Sequence, residues 1–478
     1  MKKRFVANIA LLVFINLLVK PFWIFGIDRT VQNTVGTGAY GVYFALFNFS
    51  FLLQTLLDFG INNYNSRAVA QKDGWIAEHF TGIMLVKTAL AVIYLLLCLA
   101  GAGIMGYSPV QIWLLGILCF NQVLLSFTGY FRSNLQGLHR FKTDSFMSVL
   151  DKLVMITICA VLLWGGSWGA SFRIEWFVYA QSGAYLFTVL VGFILVARQL
   201  SLPWQVSLDW SFIRGILQKS YPFALIGVLM SVYNRIDSVM LEALLPPTDG
   251  AHQAGIYASA YRLLDAVNMV GVLTATILLP MFAKMLVKQE PVEPLVNFTA
   301  KSLYALATAG VCCCFYFAEP VMHWLYTDAT PYYATVFAWL MPSFIGIASV
   351  YVFGALLTAN HNLWQINVIA LGSVALNITL NFLLIPSFKA LGAAWAAVAT
   401  QAMAAVCFMA VAAYKFKLGW NGKNIVSAAV YPLICLTLAK WGSRWEWVMP
   451  WQFNFLTVFG LCLVVARVLR LLVWKKTV

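Results

Sequence analysis

The sequence predicts an all-α polytopic membrane protein. Its fourteen transmembrane helices would form two six-helix lobes in a pseudo-two-fold arrangement, with two further helices at the C-terminus. Three observations predict this. Of 478 residues, 62% are apolar and only 10% charged, whereas soluble domains carry about 25% charged residues. Apolar runs long enough to cross a hydrocarbon core of about 30 Å recur along the whole chain. The basic residues sort to alternate segments between those runs.

The runs fall at 5–27, 38–58, 80–102, 108–130, 146–165, 175–197, 214–241, 255–280, 300–318, 332–356, 365–386, 390–413, 424–440 and 451–473. The first opens on MKKRFVANIALLVFINLLV, which is like a signal peptide but lacks a small-residue cleavage site, so it is expected to be retained. Residues 329–388 hold no Asp, Glu, Lys or Arg; Ala359–Asn360–His361–Asn362 and Pro386 mark the breaks there. With the N-terminus inside, the cytoplasmic segments carry 21 basic residues and the outer ones five. That asymmetry is what the positive-inside rule requires, and it places both termini in the cytoplasm.

An internal repeat points to the lobes. Gly-Val-Tyr at 41–43 opens the second run and Gly-Ile-Tyr at 255–257 the eighth; SNLQGLHRF at 133–141 closes the fourth and ALLTANHNL at 355–363 the tenth. The offset is roughly 215 to 222 residues, or six runs, which keeps both copies in one membrane orientation. The expected division is 1–200 for the first lobe, 210–415 for the second, and 423–478 for the two additional helices.

Charges inside hydrocarbon are costly and mark function by default. Five basic residues lie within runs: Lys20, Lys87, Lys152, Arg235 and Arg262. Lys87 and Lys152 lie near enough to the cytoplasmic edge for their stems to snorkel, and Asp151–Lys152 invites a salt bridge. Lys20, Arg235 and Arg262 would each sit roughly 10 Å below the outer face at 1.5 Å per residue. Arg262 and Asp265 share a helix face, whereas Arg235 and Asp237 point apart. Either these acids pair with the arginines as structural bridges, or the guanidinium groups, with Lys20 and Arg29, line a wet cavity and grip an anionic head group through bidentate contacts. Asn16, Asn48, Gln54, Asn62, Asn63, Asn234, Asn268, Asn377 and Asn381 would serve a sugar there, although each alone is better read as a contact between helices.

The formal charge of +14 reflects sorting across a membrane rather than a nucleic-acid surface. Nine cysteines and five histidines show no metal-ligand spacing, and the cysteines read as small buried hydrophobes. There is no phosphate-binding loop, dinucleotide fingerprint or nucleophilic triad. No enzymatic activity and no cofactor are expected, and any driving force must come from an ion gradient (H+ or Na+), the membrane potential or the substrate itself.

LLDFGINNYNSRAVAQ at 56–71 closely resembles the segment ending span two of polysaccharide-unit flippases. YNRIDSVML at 233–241 is similar to their span seven, and AGIYASAYRLLDAVNMVGVLTATILLPMFAKM at 254–285 to their span eight. LQGLHRFKTDSFMSVLDKL at 135–153 resembles the connection from span four to span five, and LGAAWAAVATQ at 391–401 the start of span twelve. The chain thus resembles the polysaccharide biosynthesis branch of the multidrug/oligosaccharidyl-lipid/polysaccharide exporter superfamily over nearly its whole length.

The resemblance implies a protein of the bacterial inner membrane that moves undecaprenyl-diphosphate-linked oligosaccharide units, of the O-antigen or capsule kind, from the cytoplasmic to the outer leaflet. The head group would cross in a cationic central cavity while the lipid tail stays among the membrane lipids. Arg235 and Arg262 become candidate diphosphate contacts, Lys20 and Arg29 cavity charges, and Asp58 with Arg67 an inner gate. Arg262 departs from the Lys of many relatives. Asn234 and Asn268 are candidate head-group contacts, and Asp237 and Asp265 candidate gating or ion-coupling groups. A glycan polymerase and a chain-length regulator are the expected protein partners. The alternatives are a lipid II flippase, an ion-coupled multidrug exporter, and a non-transporting scaffold of a glycan assembly complex.

Overall fold

The computed structural model describes residues 19, 21–72, 74–166, 169–198, 210–419, 422–445 and 450–472. Most of the run expected at 5–27, Lys20 included, lies outside the described residues. Every regular element among the described residues is helical. Among the described residues eleven helices are long and apolar enough to cross a membrane, and twelve if one bent pair is a single span. This is an all-α multi-pass membrane protein. By its internal contacts the chain divides into Met1–Gly255 and Ile256–Val478.

In the first unit a π-helical stretch, Trp23–Asp28, runs into α1 (Arg29–Val35). Gly36, at φ 83°, turns the chain into α2 (Thr37–Leu52). The helix then tightens into a 3-10 turn, Gln54–Leu57, and is interrupted at Phe59 (φ 46°) and Gly60 (φ 78°) before α3 (Ile61–Gln71). The two sections are bent by 49°. Left-handed residues in succession cannot continue a helical ladder, so the break frees backbone carbonyls inside the bundle. The run expected at 38–58 is therefore a broken span with a further helix behind it.

Four long helices follow: α4 (Trp75–Ile104), α5 (Pro109–Gly137), α6 (Phe141–Trp164) and α7 (Ile174–Ala197). A capping box starts α5, in which the Ser108 hydroxyl accepts from the Gln111 N–H and the Gln111 side chain accepts from the Ser108 N–H, with Pro109 at the first helical position. The helix runs past the expected end at 130 because its polar last turn is satisfied inside the protein. Asn65 on α3 donates to Ser133 Oγ (2.9 Å) and Asn134 Oδ1 (3.1 Å) and accepts from the Trp75 indole (3.3 Å). Packing here is by shape, since lipid offers apolar contact as readily as a neighbouring helix does. Ile61, Val69, Trp75, Phe80, Tyr130, Phe131, Leu135 and Met147 interlock as one buried cluster from α3 to α6, with Gly137 letting α5 approach Val69 on α3. α8 (Trp210–Leu244) lies on α2, and the first residues of α9 (Pro247–Val287) close the unit. Gly41 abuts the Ala251 carbonyl and Gly255 that of Thr37. The contact division thus falls after Gly255, whereas the sequence places 210–255 with its second lobe; packing of α8 on α2 is the physical reason for the difference.

The second unit holds the rest of α9, then α10 (Glu293–Tyr316), α11 (Ala318–Leu325), α12 (Pro331–Leu340), α13 (Ser343–Ala359), α14 (Leu363–Phe416), α15 (Gly422–Gly442) and α16 (Trp451–Val468). α14 is one continuous run of 54 residues interrupted at Lys389, whose φ 54° and ψ −131° are not helical. The Tyr332 hydroxyl staples the interruption, donating to the Phe388 carbonyl (3.3 Å) and accepting from the Leu391 N–H (3.4 Å). Tyr431 on α15 ties three helices together, its hydroxyl within reach of the Ala305 carbonyl of α10 (3.1 Å) and the Cys462 carbonyl of α16 (3.2 Å). Cys312, Cys313, Cys435 and Cys462 pack in the same cluster as small apolar groups, and every cysteine is free.

Candidate functional site

In the first unit the site gathers around Arg235 on α8. Its Nη1 donates to Asn48 Oδ1 on α2 at 3.3 Å, and the guanidinium lies over the Phe51 ring, 5.1 Å from the centroid. Asn48 is buried and its amide is fixed from the other side, where Nδ2 donates to Ser238 Oγ at 2.8 Å. Ser238 in turn donates to the Arg235 carbonyl at 3.3 Å. One neutral amide therefore joins α2 to α8 and seats the arginine. Asp237 is buried at 2% exposure, and Asn234 donates to the Met230 carbonyl of its own helix at 2.7 Å. Arg29 is half-buried at the start of α1; the preceding Asp28 is buried and accepts from the Tyr40 hydroxyl at 2.7 Å.

The break in α2–α3 carries a second polar group. Asp58 Oδ1 accepts from the Asn62 N–H (3.2 Å) at the head of α3 and pairs with Lys87 Nζ on α4 (3.3 Å). Lys87 Nζ also donates to the Leu57 carbonyl at 3.0 Å, the group that the 3-10 turn releases, and Ser126 Oγ donates to that carbonyl at 2.9 Å. Lys87 is 1% exposed. The expectation that its stem snorkels to the interface is thus overturned: the helix break supplies an anion and a carbonyl at membrane depth, and the ammonium turns inward to them. Arg67, expected to form an inner gate with Asp58, is exposed on α3. The expected Asp151–Lys152 bridge is present at 3.2 Å, and Lys152 also donates to the Tyr185 hydroxyl at 3.4 Å and lies over the Trp23 ring.

In the second unit Arg262 pairs with Asp265 three residues along α9, Nη1 to Oδ2, at 3.8 Å. The spacing makes that contact available in any helix, and the separation is long for a charge-assisted hydrogen bond. Asn268, on the same helix, has a buried side-chain oxygen with no hydrogen-bond partner. Sequence reasoning ranked Lys87 below the arginines and passed over Gln111. The signals that could have found them are the D-F-G turn at 58–60, which predicts a break, and the S-x-x-Q capping box at 108–111. Among the described residues no group of His, Cys, Asp or Glu is arranged to hold a metal ion.

The profile of the family described as "Polysaccharide biosynthesis protein" matches residues 5–286. A search of the curated proteins finds no match. Among solved structures the fold is similar to that of the lipid II flippase MurJ in an inward closed conformation, at a TM-score of 0.74 and 11% identity over 96% of this chain and 97% of that one. A multidrug resistance MATE family transporter of the MOP superfamily, facing inward, matches at 0.63 and 14% identity over 85% and 98%. A MOP superfamily transporter from Pyrococcus furiosus, described as having a binding pocket of reverse polarity, matches at 0.59 and 14% identity over 86% and 94%. The chain belongs to the polysaccharide biosynthesis protein family.

Proposed function

We propose that this protein flips a polyprenyl-diphosphate-linked saccharide from the cytoplasmic to the outer leaflet of the bacterial inner membrane by alternating access. The family match over residues 5–286 carries this reading. The seat of Arg235 supports it: an amide oxygen and an aromatic face orient the guanidinium, whose planar fork suits a diphosphate. Arg235 and Arg262 are the proposed diphosphate contacts, Lys20 and Arg29 supporting charges, and Asn234 and Asn268 sugar contacts. Asp58 and Arg67 are proposed to gate, with Asp237 and Asp265 coupling transport to H+ or Na+. Membrane lipids hold the polyprenyl tail, and a glycan polymerase and chain-length regulator would act on the product.

Fourteen crossings remain our reading of the topology, with both termini cytoplasmic and lobes at 1–200 and 210–415 followed by two helices at 423–478. A single straight helix of 54 residues would be about 81 Å long, far beyond one bilayer, so the interruption at Lys389 supports two crossings there.

Two cargoes fit: an O-antigen or capsule repeat unit, and lipid II. The comparisons favour lipid II, because the MurJ fold covers 96% of this chain at a TM-score of 0.74. The deciding experiment depletes the protein in cells and extracts the lipid-linked saccharides. Accumulated lipid II assigns the cell-wall precursor, and an accumulated repeat unit assigns the surface polysaccharide. If neither accumulates, the transport reading falls and a scaffold replaces it.

A further inference from the structure

We propose that Glu242, with Gln111 and Tyr107, forms a proton-binding latch between the end of α8 and the start of α5, protonated while the two are joined and deprotonated when they part. Its consequence for transport rests on the flippase reading; its chemistry does not.

Glu242 lies in the last turn of α8 and is only 9% exposed. Its Oε1 accepts from Gln111 Nε2 at 2.5 Å, a contact between residues 131 apart in sequence. The orientation of that amide is fixed by the capping box. Gln111 Oε1 accepts from the Ser108 N–H at 2.9 Å, and Ser108 Oγ accepts from the Gln111 N–H at 3.3 Å. Gln111 can therefore offer Glu242 only its NH2 group. Glu242 Oε2 is buried with no partner of hydrogen-bonding geometry, and so is the Tyr107 hydroxyl. The Tyr107 hydroxyl lies beside the Glu242 carboxyl and brings no positive charge to it.

Among the described residues the surroundings supply no compensating cation. On α8 the nearest charged groups are Asp237 and Arg235, more than a turn earlier, and Arg235 is seated on Asn48 and Phe51. On α9 the neighbours are Asp249, which accepts from Gln253 at 3.5 Å, and His252, which is exposed. The first charged residue of α5 is Arg132, near its other end. Among the described residues no basic side chain pairs with Glu242. Glu242 lies in the last turn of α8, where the helix dipole disfavours a negative charge. A carboxylate withdrawn from water without a cation is neutralised instead by taking up a proton. Burial pushes the Tyr107 phenol above its ordinary range, so Tyr107 stays neutral and leaves Glu242 as the exchanging group. One carboxyl group and one phenol are too few oxygens for a hard metal cation. When α5 and α8 separate, water reaches Glu242, the O–H bond breaks, and the proton leaves to that water.

The test uses full-length protein in nanodiscs, with spin labels on V110C of α5 and A243C of α8, both exposed positions. Protein without the two introduced cysteines measures labelling of the nine native ones. The label separation is read from pH 5 to 9. A short distance at low pH that lengthens as pH rises, and stays short throughout in E242Q, supports the latch. Glutamine is the neutral isostere that still accepts from Gln111. A wild type blind to pH, or an E242Q variant that opens like wild type, overturns it. Should E242Q fail to fold, Q111A serves: it breaks the contact and should leave the distance long at every pH, and retention of the wild-type response overturns the proposal. Flipping in vesicles under an imposed pH gradient separates the two readings. If the latch responds but no saccharide lipid is flipped, the transport reading fails and the proton site stands. If saccharide lipid is flipped while the distance ignores pH, the site fails and the transport reading stands.

Discussion

Lys87 and Asp58 form an ion pair at 3.3 Å across a break in a transmembrane segment, with the lysine 1% exposed and the Asp58 side chain 30% exposed. The pair is unequal. Asp58 is reached by solvent and helped by the Asn62 N–H, whereas Lys87 has only Asp58 and the Leu57 carbonyl to replace its hydration.

Removing one member of a buried pair strands the other, at a cost of about 3–5 kcal/mol when the survivor is fully buried. D58A strands the buried ammonium and should lower thermal stability strongly. K87M strands a partly hydrated carboxylate and should cost clearly less. The double variant should recover most of the D58A loss. Melting of the purified protein in detergent checks the order D58A below K87M, and the reverse order would show that Lys87 is hydrated from its own side.

Asn48 positions Arg235 from another helix without carrying charge. N48A should leave the protein folded and reduce flipping by about tenfold, because a hydrogen bond to a charged group is worth about 1.5–3 kcal/mol. R235K should be similarly impaired, since an ammonium cannot both reach Asn48 and present a planar fork to phosphate. Initial rates in reconstituted vesicles at matched protein density test this. Full activity in N48A would make the contact a helix tie with no role in positioning.

The class of the fold was legible because hydrocarbon imposes a length and a charge rule on every crossing, and 62% apolar composition with sorted lysines and arginines obeys both. Arg235 and Arg262 were legible for the same reason, as charges that hydrocarbon makes costly. The partner of Lys87 was not, because it is created by two left-handed residues, Phe59 and Gly60, that no apolar period records. The length of α5 was hidden likewise, since Ser133 and Asn134 are polar in sequence and become interior only through Asn65. Periodicity reads one helix at a time, whereas these groups are satisfied across helices.

Glycine is required where α2 meets the start of α9. A Cβ at Gly41 would collide with the Ala251 carbonyl oxygen, a backbone atom that cannot rotate away. G41A should therefore destabilise by about 1–3 kcal/mol, the usual range for overpacking. Gly38, one turn earlier, has open space around its Cβ direction, so G38A should be neutral or slightly stabilising. Paired melting curves of G41A and G38A decide whether the close approach is real, and equal behaviour of the two would deny it.

Lys389 holds φ 54° and ψ −131° inside α14, a backbone region open essentially to glycine alone. Such a residue stores about 1–3 kcal/mol of strain, tolerated because neighbours fix it. Tyr332 is the neighbour that does so, through Phe388 and Leu391. K389G should relieve the strain and raise the melting temperature, with transport retained if the side chain has no role in it. Y332F should lower the melting temperature by removing the hydroxyl from both backbone partners, and K389G should reduce that loss because less strain is left to restrain. The double-variant cycle tests that coupling directly. Strict additivity would mean that the tyrosine and the interruption are independent, and that some other contact holds the backbone of Lys389 in place.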